Sequence, residues 1–324
     1  MNTNVDNIHN SEKRFSALPR KKSVLRRWLP RIVLLSVGIY AGIVVLLLAS
    51  ETSLVYPGSK YPRGNWKPTN FTFEEIEFES GDGTKLFGWY LPKPEDDSEL
   101  PNIDDQVQQP AEEDEPPQRT DTRTILLCHG NAENVAQASQ HNGDYFRHAL
   151  NANVFVFDYR GFGKSEGTPD EAGVLADSES AMQWLWMRVE KQPSEIILVG
   201  HSIGGGPAVH LASKFGCKAL ILQRTFSKLT DPAQNQYPWI PVSYLMRNQY
   251  PSTEKIATCN SPVFQSHGDS DRLIPIKFGR ELFDASPAKK KVFFEVPGMT
   301  HWDALPANYW TELANFIAEI EAEN

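Results

Sequence analysis

Glu195-Ile196-Ile197-Leu198-Val199-Gly200-His201-Ser202-Ile203-Gly204-Gly205-Gly206 is the stretch whose reading decides the fold. Five residues, four of them aliphatic, predict a short buried strand, and Pro207 to Phe215 carry Ala, Val and Leu at helical spacing. Between them lies Gly-His-Ser-Ile-Gly, a serine bracketed by glycines. A strand that turns directly into a helix holds the serine in a strained backbone conformation and leaves no room for side chains two positions away on either side. The segment is therefore read as a nucleophile elbow, with Ser202 as the nucleophile.

A serine hydroxyl is a weak nucleophile at neutral pH and needs an imidazole to take its proton and a carboxylate to orient that imidazole. With this elbow the three follow in chain order serine, acid, histidine. Pro262 to Gly268 reads as a strand leading into Asp269-Ser270-Asp271-Arg272, and Asp271 is assigned as the acid, with Asp269 as its rival. The two roles exchange if Asp271 caps the helix that begins near Pro275. Lys291 to Val296 predicts the next strand, followed by Pro297-Gly298-Met299-Thr300-His301. His301 is the only histidine after Asp271, which makes it the base. Upstream, Thr124 to Cys128 predicts a strand that runs into His129-Gly130-Asn131. The loop after such a strand supplies one of two backbone N–H groups that stabilise the oxyanion of acyl transfer, the other coming from the residue after the serine. The expected donors are Asn131 and Ile203. His129 is expected to bridge loop backbone beneath the site.

Taken together, Asp82 to Tyr90, His129 to Asn134, Asp158-Tyr159-Arg160-Gly161-Phe162-Gly163-Lys164-Ser165-Glu166-Gly167 and the three triad segments resemble the α/β-hydrolases. They are most similar to the branch with membrane-anchored lysophospholipases, protein depalmitoylases and bacterial serine aminopeptidase-like proteins. The resemblance runs from about Phe73 to the C-terminus. It implies an α/β-hydrolase fold: a mostly parallel central sheet with helices on both faces and a short cap. The implied activity is that of a serine hydrolase acting through an acyl-enzyme, and the branch contains esterases, thioesterases, lipases and peptidases. Glu133 and a long acidic insertion depart from the usual pattern, which weakens any substrate carried over by analogy.

The order of apolar runs agrees with one catalytic domain over residues 73–324, with strands at Phe73–Phe78, Leu86–Tyr90, Val154–Phe157, Ile196–Val199, Ala219–Leu222, Val263–Ser266 and Val292–Val296 besides the one at Thr124. Residues 93–121, rich in Asp, Glu, Pro and Gln, are expected to be a disordered insertion between the second and third strands. Residues 225–261 are expected to form a cap. From that cap Tyr237, Trp239, Tyr244 and Leu245, with Trp302 beyond the base, are assigned to a substrate pocket suited to an apolar acyl chain.

The N-terminus is a separate object. Residues 32–49 contain no charge and are mostly apolar, long enough for a helix of roughly 27 Å against a bilayer core of ~30 Å. Eight Lys/Arg precede this segment and none follows until Lys60. That asymmetry predicts residues 1–31 cytoplasmic, 50–72 a linker and the catalytic domain across the membrane. The long charged region and the lack of a small-x-small site at Leu47-Leu48-Ala49-Ser50-Glu51 favour an uncleaved signal anchor over its alternative, a cleaved signal peptide. Residues 1–31 carry a net +6 within a chain of formal charge −9, so the remainder is strongly acidic and unsuited to nucleic acid. Three cysteines, Cys128, Cys217 and Cys259, are too few for a disulfide framework and are expected to pack as small apolar residues. No metal or cofactor motif is present, and Gly204-Gly205-Gly206 lacks the lysine of a phosphate loop. The expected reading is thus a membrane-anchored hydrolase of a lipid-like or other hydrophobic ester or thioester, with no cofactor. An aminopeptidase or amidase is the alternative, and a non-catalytic scaffold a more distant one.

Overall fold

The computed structural model describes residues 24–94 and 122–323, so the basic tail up to residue 23 and nearly all of the acidic insertion lie outside the described residues. Eight strands form one sheet: β1 (Glu74–Glu79), β2 (Lys85–Leu91), β3 (Arg123–Cys128), β4 (Ala152–Asp158), β5 (Ile196–His201), β6 (Ala219–Gln223), β7 (Val263–Gly268) and β8 (Lys291–Val296). Their spatial order is β1-β2-β4-β3-β5-β6-β7-β8. The β1/β2 and β2/β4 pairs are antiparallel and every other pair is parallel.

Parallel strands covered on both faces need apolar residues at nearly every position, and that is what the central strands provide. Alternate residues of β3 enter opposite cores: Leu126 and Cys128 join one, Ile125 and Leu127 the other. On the first face the sheet is covered by the helices Glu171–Val189 and Gly205–Phe215, and on the second by Ala307–Ala322, whose Tyr309, Leu313, Phe316 and Ile317 are buried. Each buried leucine here stabilises the fold by ~1.5–3 kcal/mol, and truncating one such as Leu198 to alanine costs ~2–5 kcal/mol. The three cysteines are free and buried in the described structure.

Chain order reverses at β3, which has β4 on one side and β5 on the other. Ligands of open α/β sheets bind outside the carboxyl ends of the strands at such a point. The loops after β3 and β5, which contain Asn131 and Ser202, leave the sheet side by side there.

The segment between β6 and β7 forms three short helices, Thr230–Gln236, Val242–Leu245 and Ser252–Ile256. It is drawn toward the helix that follows Ser202. The Tyr250 ring fills the space left by Gly206, where a Cβ would stand 2.4 Å from it, and Glu171 accepts from the N–H groups of Gln249 and Tyr250. Glu51 accepts from Arg247 N, Asn248 N and Asn248 Nδ2, while Tyr56 Oη meets Asn248 and Tyr250.

The N-terminal helix, described by itself, runs Val24–Ala49, and an 18-residue window within Trp28–Ala49 has a mean hydropathy of 2.8. It is one N-terminal helix long and apolar enough to cross a membrane. Apolar side chains such as Leu34, Leu35, Val45 and Leu46 are exposed along it.

Candidate active site

Ser202 has φ +54, a left-handed conformation that a non-glycine residue adopts only where its surroundings enforce it. The glycines explain how. A Cβ on Gly204 would lie 2.1 Å from the Cys128 carbonyl oxygen, and one on Gly200 would lie 2.6 Å from the Gly204 carbonyl oxygen. With those side chains missing, the helix starts directly over β3 and lifts the serine to the sheet's edge. Thr225 Oγ1 donates to the Ser202 carbonyl at 2.8 Å and fastens the turn to the end of β6.

Ser202 Oγ is 3.1 Å from His301 Nε2, and His301 Nδ1 is 2.7 Å from Asp271 Oδ2. With Nδ1–H donating to the carboxylate, Nε2 is the acceptor that faces the hydroxyl. All three residues are buried. The other Asp271 oxygen accepts from the N–H groups of Leu273 and Ile274, so the loop after β7 grips the carboxylate. Burial opposes its ionisation, but His267, His301 and the Ile274 N–H outweigh it and hold the carboxyl well below the usual carboxylate range. His267 Nε2 donates to the Ile274 carbonyl at 2.7 Å and lies 3.4 Å from Asp271 Oδ2. Asp269 is exposed and turned away: its Oδ1 accepts from Gly298 N and Ser270 Oγ. Arg224, just past the end of β6, donates to the His301 carbonyl and holds that residue's backbone in place.

Ile203 is the second residue of the helical turn opened by Ser202, where N–H groups have no partner four residues back. Asn131 borders the same cavity as Ser202, and its side chain donates to the Val55 carbonyl, which fixes the loop. His129 lies beneath the loop: Nδ1 donates to the Gly130 carbonyl at 2.7 Å, Tyr159 Oη donates to the His129 carbonyl, and burial pushes the imidazole pKa down.

Ser202 opens into a cavity of about 530 Å³. Trp302 lines it, whereas Tyr237, Trp239, Tyr244 and Leu245 do not, nor does any other residue of the 225–261 segment. The contacts of Tyr250 and Asn248 described above hold that segment toward the helices instead. The opposite wall comes from residues 130–145. There the helix Val135–Ala138 passes into a π-helical turn, Ser139–Gly143, and Gln140, His141 and Asn142 of that turn reach the cavity together with Glu133 and Tyr145. These residues, with Arg224 and Trp310, escape sequence reasoning. Only the departure of Glu133 from the family pattern signals that wall.

Residues 123–253 match the family model described as the alpha/beta hydrolase fold. An uncharacterized protein of Mycobacterium tuberculosis is 30% identical over 277 residues, covering 86% of this chain and 89% of that protein. The protein bem46 of Schizosaccharomyces pombe is 32% identical over 281 residues, covering 83% and 86%. The chain belongs to the α/β-hydrolase family. The esterase Pf2001 of Pyrococcus furiosus shares the fold with a TM-score of 0.56 at 17% identity, over 79% of this chain and 96% of that one.

The electrostatics of this α/β-hydrolase site are uneven. His201, parallel to His301 with ring centroids 6.1 Å apart, is pushed down to about 4 by burial and is neutral at neutral pH. Glu133 is the reverse: burial opposes its ionisation, yet His141, His201 and His129 bring it down to about 2. Among the described residues, no group of three or more His, Cys, Asp or Glu side chains is placed to hold a metal ion.

Proposed function

We propose that this α/β-hydrolase is a membrane-anchored serine hydrolase that cleaves an ester or thioester through an acyl-enzyme on Ser202. The observation that carries the reading is the continuous Ser202–His301–Asp271 chain of hydrogen bonds at 3.1 and 2.7 Å. Ser202 Oγ attacks the substrate carbonyl carbon as its proton passes to His301 Nε2, and the carbonyl oxygen takes the negative charge facing the N–H groups of Ile203 and Asn131. The tetrahedral adduct collapses by breaking the bond to the alcohol or thiol, which leaves with the proton from His301. Water then repeats the sequence on the acyl-enzyme, releasing the acid and restoring Ser202. Asp271 steadies the imidazolium in both halves. The apolar acyl pocket expected from Tyr237, Trp239, Tyr244 and Leu245 gains no support from this cavity, so the reading specifies the bond cleaved and not the acyl length.

The test is labelling of the full chain with a fluorophosphonate, followed by rates on an ester series and on aminoacyl amides. Labelling at Ser202 with faster turnover of esters is expected. No labelling, or labelling at another serine, sinks the mechanism; faster amides would make it an amidase. For the anchor, the excess of basic residues before the span favours a cytoplasmic N-terminus. In intact cells an impermeant thiol reagent should miss Val5→Cys and reach Asp105→Cys wherever it has access to the far face of the membrane. The opposite pattern would reverse the orientation.

A further inference from the structure

Glu133 lies two residues past Asn131 and borders the cavity that Ser202 opens into. Its Oε1 is 3.3 Å from Nδ1 of the largely exposed His141, and its Oε2 is buried with no hydrogen-bond partner among the described residues. Of the other charged groups on the cavity, Arg224 is a buried cation attracted to Glu133, and its Nε has no hydrogen-bond partner among the described residues. Arg224 donates to the carbonyls of His301 and Asp303, and Asp303 Oδ2 accepts from the N–H and hydroxyl of Thr300. Glu133 is therefore an anion with one oxygen on a solvent-facing imidazole and the other unmatched.

An anion is a poor neighbour for acyl transfer. The reaction develops negative charge on the oxygen held by the Ile203 and Asn131 N–H groups, and a carboxylate beside that loop raises the energy of the charge. A neutral substrate brings nothing to offset the repulsion; a cationic one does. Aromatic rings face the same space. Tyr145 and Trp310 stack with centroids 5.5 Å apart and Trp302 stands beside His301, and such rings attract organic cations.

We propose that the cavity selects substrates that carry a small organic ammonium group, with Glu133 as the specificity-determining residue. The proposal rests on the serine-hydrolase reading above. It assigns the substrate class of that site and leaves the triad's chemistry unchanged.

Two isosteric pairs test it on the detergent-solubilised full chain. Butyrylcholine against 3,3-dimethylbutyl butyrate places the cation on the alcohol side. The p-nitrophenyl ester of 6-aminohexanoate against that of heptanoate places it on the acyl side. In at least one pair the wild type should favour the cation in kcat/KM. Glu133→Gln should lower that preference about tenfold, and by no less than threefold. Glu133→Asp keeps the charge and should retain most of the preference.

Fluorophosphonate labelling at Ser202 is followed in parallel. A labelled wild type whose ratio changes less than threefold in both pairs overturns the proposal alone, whereas an unlabelled, inactive wild type overturns the hydrolase reading with it. Should Glu133→Gln fail to fold, protection of wild-type Ser202 from the fluorophosphonate decides. Tetramethylammonium should protect and neopentyl alcohol should not; equal protection, or none, overturns the proposal.

Discussion

Ser202, Asp271 and His301 follow the ends of parallel strands β5, β7 and β8, whereas the facing wall of the cavity, residues 130–145, is a loop, one helical turn and a π-helical turn. On the strand side, each residue is positioned by a ladder of backbone hydrogen bonds and by cores buried on both faces. On the other side Glu133, Gln140, His141, Asn142 and Tyr145 are placed by local helix geometry and side-chain contacts. The strand side holds the Ser202–His301–Asp271 chain of hydrogen bonds; the helical side lines the cavity opposite it. A fold shared with proteins at 17% identity leaves walls built from loops and short helical turns free to change.

The sharpest break between the walls is Ser202→Ala. It should leave the fold intact, because the smaller side chain adds no strain, and lower kcat by ~10⁴–10⁶ with loss of fluorophosphonate labelling. Mass spectrometry of the labelled peptide would check it. A residual rate within tenfold of wild type would mean that the strand side is not where the chemistry occurs.

Asp271→Asn against Asp269→Asn comes next. The first reverses the donor that fixes His301's tautomer and should lower kcat by ~10³–10⁴; the second disturbs an exposed turn at Gly298 and should lower it by less than about threefold. Stability carries a second signature. The folded Asp271 carboxyl is held below its ordinary value, so its contribution is present at neutral pH and is lost as pH falls through that ordinary value of 3.8 toward the lower folded one. The wild type should therefore lose its stability advantage over Asp271→Asn in that acid range, as followed by urea denaturation. A gap that widens there would contradict the assigned partners.

The same division governs what can be read without coordinates. Apolar runs and the spacing Gly200-Ser202-Gly204 are local signals, and β3 to β8 lie within a few residues of the runs that predict them. The juxtaposition of Ser202, Asp271 and His301 follows from sheet order, which the family resemblance carries. The cavity wall is different. A π-helical turn differs from an α-helix by one residue of register, and nothing in Ser139-Gln140-His141-Asn142-Gly143 marks that change. The cap aromatics mislead for a related reason. Apolar composition implies burial, but long-range contacts, the bonds of Glu51 and Glu171 to residues 247–250 and the Tyr250 ring against Gly206 among them, decide which way the segment leans.

The smallest expected effect lies on the helical wall. Tyr145 is mostly exposed and meets the rest of the molecule through the Trp310 ring, with centroids 5.5 Å apart and planes 14° from parallel. Tyr145→Ala removes an aromatic face worth ~0.5–1.5 kcal/mol to a substrate lying against it, so kcat/KM should fall about two- to tenfold through KM while kcat holds. Trp310 also packs on Phe146 and Tyr309, and Trp310→Ala should add a loss of several degrees in Tm that Tyr145→Ala does not show. Steady-state kinetics with thermal melts separate the two. A fall in kcat for Tyr145→Ala as large as that for Asp271→Asn would place the helical wall in the chemistry and erase the division. An unchanged KM for every substrate would mean that substrate leaves Ser202 by a path that does not pass Tyr145.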